Sequence, residues 1–134
     1  MPLVRIDLIV GRTATEVREL MDAVHEAIVL AFGVPVRDRY QIVQEHAADH
    51  VVLEDTGLGL TRTRRAVVIA LTSKQRPREA KLRLYELLCE RLQARCDINP
   101  SDVIVTLCTN TGEDWSFGQG RAQFVSGELE GGTP

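Results

Sequence analysis

Aromatic side chains are scarce in this chain: one tryptophan, two tyrosines and three phenylalanines, 4% of the 134 residues. Stacking of nucleic-acid bases therefore lacks a platform, and a net charge of −3 supplies no broad basic field to neutralise phosphates. Both absences argue against a nucleic-acid partner. No apolar run approaches the roughly 20 residues that a bilayer-crossing helix needs, and polar residues come too early for a secretory signal. The chain reads as cytoplasmic, with no membrane partner. Cysteine is sparse too: Cys89, Cys96 and Cys108 are an odd number without metal-ligand spacing, and two fall in a helical pattern. They read as reduced packing residues. His25, His46 and His50 do not converge with cysteines or carboxylates in a metal-site pattern, so no metal is expected.

What is present is ordinary for one soluble domain with a single core, 1–134: 44% hydrophobic and 26% charged residues. The stretch that organises the rest is the first, Met1-Pro2-Leu3-Val4-Arg5-Ile6-Asp7-Leu8. A residue as small as proline after the initiator normally allows methionine to be clipped, which leaves a secondary amine at the chain start. An α-amino group titrates at about pH 7.7–8.0 in a free peptide, so modest burial or a nearby charge makes it an acid or a base at neutral pH. Proline at position two is common and by itself carries no chemistry. Its weight comes from the apolar strand after it and from the rest of the chain.

Leu3 to Val10 reads as a strand, turned at Gly11-Arg12-Thr13. Thr13 and Glu16 have the spacing of a capping box, and Val17, Leu20, Met21, Val24, Ile28 and Ala31 form one apolar stripe of a helix. Phe32-Gly33 should end it, with Pro35 forbidding continuation. A short strand, Tyr40 to Gln44, follows the loop Val36 to Arg39. Asp55-Thr56-Gly57-Leu58-Gly59 reads as a turn, because no helix pattern begins after Gly59 to offer a phosphate its N-terminus. Ala66 to Leu71 is a continuous apolar strand of the kind buried on both faces. Pro77 suits the first position of a second helix, whose apolar face is Leu84, Tyr85, Leu88, Cys89, Leu92 and Cys96. After Asn99-Pro100, Val103 to Leu107 reads as another buried strand. The tail, with Ala122 to Ser126 alternating, predicts a small hairpin, and Glu128 to Pro134 a frayed end.

Placing Pro2 on Ala66 aligns the two halves, about 2–65 and 66–129, without a gap. Strand falls on strand and helix on helix, with Arg12 on Arg76, Leu20 on Leu84, Glu26 on Glu90, Ile28 on Leu92, Val34 on Ile98 and Asp38 on Asp102. Two tandem β-α-β units of this kind predict an α+β domain: one four-stranded sheet with two helices on one face. The other face needs a cover, which a partner subunit can supply. The pseudo-twofold brings the chain start beside Ala66 to Leu71 and the segment Ser73-Lys74-Gln75-Arg76-Pro77-Arg78.

An amine at one strand end would then lie near cations at the end of its neighbour. Cations beside a helix N-terminus favour a carboxylate. Lys74 and Arg76 are candidates for binding it, although such runs are commonly solvated surface charge, and for Arg78 that is the better reading. Asp38 can return to the pocket to meet the amine, or simply serve as a turn residue. Trp115 and Phe117 are candidates for an apolar wall.

With those residues assembled, the chain resembles the tautomerase superfamily, and within it malonate semialdehyde decarboxylase. The similarity runs from Pro2 to about Leu129. The segments that carry it are Asp7-Leu8-Ile9, Gly11-Arg12-Thr13, Phe32-Gly33-Val34-Pro35-Val36, Asp38-Arg39-Tyr40-Gln41, Val52-Leu53-Glu54-Asp55-Thr56-Gly57-Leu58-Gly59, Asp102-Val103-Ile104-Val105 and Asp114-Trp115-Ser116-Phe117-Gly118. The resemblance implies a homotrimer without metal or organic cofactor, a catalytic amine at Pro2 with Asp38 as its acidic partner, and an aromatic wall at Trp115. It departs at one point: the decarboxylases carry Arg-Pro-Arg where the gapless register puts Lys74-Gln75-Arg76. A slip of two residues would match Arg76-Pro77-Arg78 instead, but Tyr85, Leu87 and Leu88 stay aligned only without it. Lysine cannot clamp a carboxylate in arginine's planar, two-pronged way.

The expected activity is decarboxylation of a small 3-oxo acid, malonate semialdehyde to acetaldehyde and carbon dioxide, with Pro2, Asp38 and Arg76 catalytic. Lys74, Arg76, Trp115 and Phe117 would bind the substrate. Two alternatives stay open: a keto-enol tautomerase of 2-hydroxymuconate-like or phenylpyruvate-like substrates, and a non-catalytic trimeric binding protein.

Overall fold

The structure, a computed structural model, describes residues 2–129. Strand β1 (Leu3–Ile9) leads to helix α1 (Ala14–Phe32) and strand β2 (Tyr40–His46). Strand β3 (Val67–Lys74), helix α2 (Arg78–Cys96) and strand β4 (Val103–Asn110) repeat that order, and a single helical turn, α3 (Gln123–Ser126), follows. The sheet order is β2-β1-β3-β4. Each β-α-β unit pairs its own strands in parallel, and the units join through β1 and β3, which run antiparallel. The expected α+β architecture is thus observed.

Local chemistry sets the boundaries. The Glu16 amide donates to Thr13 Oγ1 at 3.1 Å and the Thr13 amide donates to Glu16 Oε1 at 3.0 Å, so the capping box forms as read. Gly33, at φ 65°, ends α1 and donates its N–H to the Val29 carbonyl. Asp97 ends α2 in the same left-handed conformation, at φ 54°. Pro77 stands one residue before α2, at its cap, where a missing N–H costs nothing.

Alternate residues of β1, Val4, Ile6 and Leu8, are buried in one core with Val67, Ile69 and Leu71 of β3. Leu20, Val24 and Ile28 of α1 and Leu84, Leu88 and Leu92 of α2 complete it. Arg95 meets Glu19 and Glu26 across the helix pair, and Arg91 also meets Glu26. Such surface pairs contribute about 0–1 kcal/mol each, against about 1.5–3 kcal/mol for each fully buried leucine. The leucines therefore decide the helix packing. Leu87 is buried where the sequence pattern favoured Tyr85 and Cys89, which are half-buried.

Several expectations are corrected. Strand β3 runs three residues beyond Leu71, because Thr72, Ser73 and Lys74 pair with Cys108, Thr109 and Asn110. Only alternate β3 residues are fully buried over most of its length, since helices cover one face of the sheet. Strand β4 is not buried: it is an edge, half-exposed along its length, and Cys108 is exposed rather than packed. The tail is not a hairpin. Thr111 and Asp114 close a capping box around a short 3-10 turn, and Gly118, Gln119 and Gly120 all take positive φ, which interrupts any extended run before α3. The frayed end expected from Glu128 lies, from residue 130 on, outside the described residues. The Asp55 turn is as read: its carboxylate accepts the Gly57 and Gly59 amides that an anion would otherwise have used.

Candidate functional site

The strand directions bring four chain segments to one end of the sheet. Strands β1 and β2 begin there, and β3 and β4 finish there. Buried Pro2 directly precedes Leu3, which stands between Tyr40 of β2 and Thr72 of β3. Asp38 lies in the loop entering β2, Lys74 closes β3, Arg76 lies before α2, and Trp115 and Phe117 follow β4. All six residues singled out from the sequence therefore share this end.

Lys74 is only 3% exposed, and its Nζ lies 4.1 Å from the centre of the Phe124 ring. Burial pushes its ammonium pKa below the ordinary lysine value, and the Arg76 charge pushes the same way. Arg76 is half-buried. Its Nε donates to Ser73 Oγ at 3.2 Å and its Nη1 to the Phe32 carbonyl at 3.5 Å. Burial lowers this guanidinium as well, and the Asp38 carboxylate opposes that effect. The Nη2 of Arg76 is buried with no hydrogen-bond partner. Arg78, by contrast, is exposed on the first turn of α2.

Every aromatic residue except Tyr85 gathers here. Phe117 is central: its ring centre lies 5.5 Å from Tyr40, 5.3 Å from Trp115 and 5.6 Å from Phe124. Trp115 stacks on it at 9° and donates its indole N–H to Asn110 Oδ1 at 2.8 Å. A cavity of about 420 Å³ opens beside this cluster, lined by Pro35, Asp38, Tyr40, Phe117, Phe124 and Leu129 among others. Trp115 is not in its lining; it backs Phe117. Pro2, Lys74 and Arg76 are not in its lining either; Lys74 adjoins it through the Phe124 ring, and Arg76 through the charge of Asp38. Gln123 fixes the far wall, accepting from the Phe117 amide and donating to the Gly118 carbonyl. A Cβ on Gly112 would come within 3.3 Å of Phe124 Cβ, so glycine there lets the ring close over Lys74.

Tyr40, Phe124, Phe32 and Ser73 were not among the residues singled out. Tyr40 and Phe32 each sit inside a segment that carries the family resemblance and were available as signals. Phe124 and Ser73 join the site only through contacts across the fold. Among the described residues, no group of three or more His, Cys, Asp or Glu could hold a metal ion.

The opposite end of the sheet, where Arg12 and Asp102 correspond in the tandem register to Arg76 and Asp38, is closed by the chain itself. Asp102 accepts from the amide and hydroxyl of Thr63. Arg12 Nη2 donates to the Arg65 carbonyl at 2.7 Å, and Arg65 Nη2 to that of Cys96 at 2.6 Å.

Two family models, both described as tautomerase enzyme, match residues 38–118 and 2–61. The probable tautomerase YrdN of Bacillus subtilis (strain 168) is 51% identical over 129 residues, 96% of this chain and 100% of that one. The crystal structure of a malonate semialdehyde decarboxylase, studied for decarboxylase and hydratase activities, is 48% identical. It superposes with a TM-score of 0.93 over 95% of this chain and 98% of its own. FG41 malonate semialdehyde decarboxylase inhibited by 3-bromopropiolate is 40% identical, with a TM-score of 0.92 over 96% and 98%.

Proposed function

Because this chain belongs to the tautomerase superfamily and is one of its enzymes, we propose that it decarboxylates malonate semialdehyde to acetaldehyde, with Pro2 as its catalytic amine. The observation that carries this reading is the buried, unpartnered Nη2 of Arg76. An unsatisfied buried donor is costly, and beside the buried ammonium of Lys74 it suits a carboxylate oxygen. The likeness to two solved decarboxylases supports the same choice.

In this mechanism Arg76 and Lys74 hold the carboxylate, and cationic Pro2 polarises the 3-carbonyl oxygen; in the iminium route Pro2 first gives up its proton, its lone pair adds to that carbon, and the carbonyl oxygen leaves as water. The bond to the carboxylate then breaks. Its electron pair moves into the polarised carbonyl or iminium, carbon dioxide leaves, and a proton returns to the carbon. The iminium route adds water to free the amine. Asp38 favours the protonated amine, against burial and the neighbouring cations. Phe117, backed by Trp115, supplies an apolar wall.

Subunits assemble as homotrimers without cofactor and work in the cytoplasm. The uncovered sheet face and the exposed Tyr40 and Ile42 of β2 support the assembly. Residues 2–65 and 66–129 are read as tandem halves, in line with two 19-residue helices at matching positions. Among the described residues no helix is long and apolar enough to cross a membrane.

The test is proton NMR of untagged, methionine-processed protein with freshly generated malonate semialdehyde. Rapid acetaldehyde formation is expected; none from processed enzyme sinks the decarboxylase assignment.

Burial of Pro2 beside two cations favours a second reading. If those effects outweigh Asp38, the amine is neutral at pH 7 and acts as a base, a tautomerase of 2-hydroxymuconate-like or phenylpyruvate-like enols. Nitrogen NMR titration of Pro2 separates the two readings.

The lowered pKa of Lys74 sets an alkaline limb. Its ammonium binds the carboxylate, so binding is complete at lower pH and fades as pH rises through a pKa below the ordinary lysine value. KM measured against pH should climb at the alkaline end, and Lys74→Arg should move that climb to higher pH, since arginine stays charged. An unmoved limb would assign the titration to another group.

A further inference from the structure

The guanidinium of Arg76 is gripped from a direction that the proposed chemistry does not require. Its Cζ lies 4.9 Å from the centre of the Phe32 ring, and its Nη1 reaches the carbonyl oxygen of the same residue. Phe32 is the last residue of α1. Its carbonyl is therefore one of the acceptors that a helix end leaves open, at the negative pole of the helix dipole. The last turn of α1 has no basic residue of its own, so Arg76 supplies the missing cation from the loop between β3 and α2. Gly33, in the left-handed conformation, turns the following chain away. Ser73 Oγ takes Nε. With two nitrogens engaged and one face covered by the ring, the remaining nitrogen, Nη2, is left buried and unpartnered.

The opposite sheet end offers a comparison within the same molecule. Arg12 corresponds there to Arg76, but Cys96 stands in the place of Phe32 and presents no ring. The Cys96 carbonyl is taken by Arg65, and Arg12 spends its own Nη2 on the Arg65 carbonyl. Without the aromatic shelf, the equivalent guanidinium is consumed by the main chain.

We propose that Phe32 is a positioning residue, whose ring and carbonyl together hold Arg76 with Nη2 directed at the carboxylate of the substrate. The inference rests on reading Arg76 as the carboxylate cation. It adds that the cation's aim is set by the end of α1.

The test compares Phe32→Leu, Phe32→Tyr, Arg76→Ala and the double variant Phe32→Leu/Arg76→Ala in steady-state kinetics with malonate semialdehyde. Losing a guanidinium-ring contact should raise KM about three- to thirtyfold with a smaller change in kcat, because substrate binding rather than the amine is disturbed. Phe32→Tyr, which keeps the ring, should restore the native KM. In the Arg76→Ala background, Phe32→Leu should change nothing further, a coupling that a merely structural role would not produce. An unchanged KM in folded Phe32→Leu, while Arg76→Ala raises KM, overturns the inference and leaves the carboxylate reading standing. Independent, multiplying effects in the double variant overturn it too. If Arg76→Ala itself leaves KM unchanged, the carboxylate reading falls and takes this inference with it. Should Phe32→Leu not fold, Phe32→Met removes the ring with less change in volume and carries the same comparison.

Discussion

Pro2→Ala should lower kcat for malonate semialdehyde by about 10²- to 10⁴-fold, the range that a positioned acid or base group contributes, while changing KM little. Alanine is also small enough to let the initiator methionine be removed, so the variant keeps a free α-amino group. What it loses is the ring. A secondary amine with its dihedral fixed near −65° becomes a primary amine free to rotate at the chain start, with the hydrogens it points at the substrate no longer held in place. Arg76 and Lys74 stay where they are, so carboxylate binding persists. Folding should be unaffected, because β1 begins at Leu3 and its pairing with β2 and β3 does not include residue 2. The measurement is single-substrate kinetics together with a thermal melt and an intact mass, the mass to establish that Met1 is gone in both proteins. A kcat within about tenfold of native would remove the amine from the mechanism.

Arg76→Ala comes next in size. The side chain is half-buried, and removing one partner of a desolvated charge pair costs about 2–5 kcal/mol, which corresponds to a loss of about thirty- to several-thousandfold in kcat/KM. Most of it should appear in KM, since the lost interaction is with a carboxylate present before bond breaking as well as during it. Arg76→Lys should recover only a fraction. Lys74 already supplies a compact ammonium at this end, and a second one adds charge without the planar pair of donors. A native KM in Arg76→Ala would mean the carboxylate sits elsewhere. The cavity bounded by Asp38, Tyr40 and Phe117 would then be examined for another cation, with Arg37 in its lining the first candidate.

What the sequence revealed, and what it concealed, divides along the range of the interactions. Thr13 with Glu16, Gly33 after Phe32 and the Asp55 turn are local, and each formed as read. The strand directions followed from two β-α-β units, and with them came the shared sheet end of Pro2, Asp38, Lys74, Arg76, Trp115 and Phe117. Phe124 was hidden because its neighbours alternate like a strand. Only the Thr111–Asp114 box and the positive φ angles near Gly118 reveal that the segment curls back over Lys74. Phe32 was read as a helix stop and as part of a segment shared with the family, but its place beside Arg76 stayed hidden, since that contact spans 44 positions. The apolar run Val103 to Leu107 looked buried because sequence registers the apolarity of a strand. It does not say whether the cover comes from the same chain.

The two outer strands carry a consequence for handling the protein. Among the described residues β2 and β4 each have one flank without a strand neighbour, and β2 shows Tyr40 and Ile42 to solvent. A row of unpaired amides and carbonyls beside exposed apolar side chains is a template for uncontrolled strand addition. A neighbouring subunit of the proposed trimer would occupy that template, which a lone subunit leaves bare. Colloidal stability would then run opposite to the usual laboratory instinct: dilution, by releasing single subunits, is the condition that invites precipitation, and a concentrated stock is the safer one.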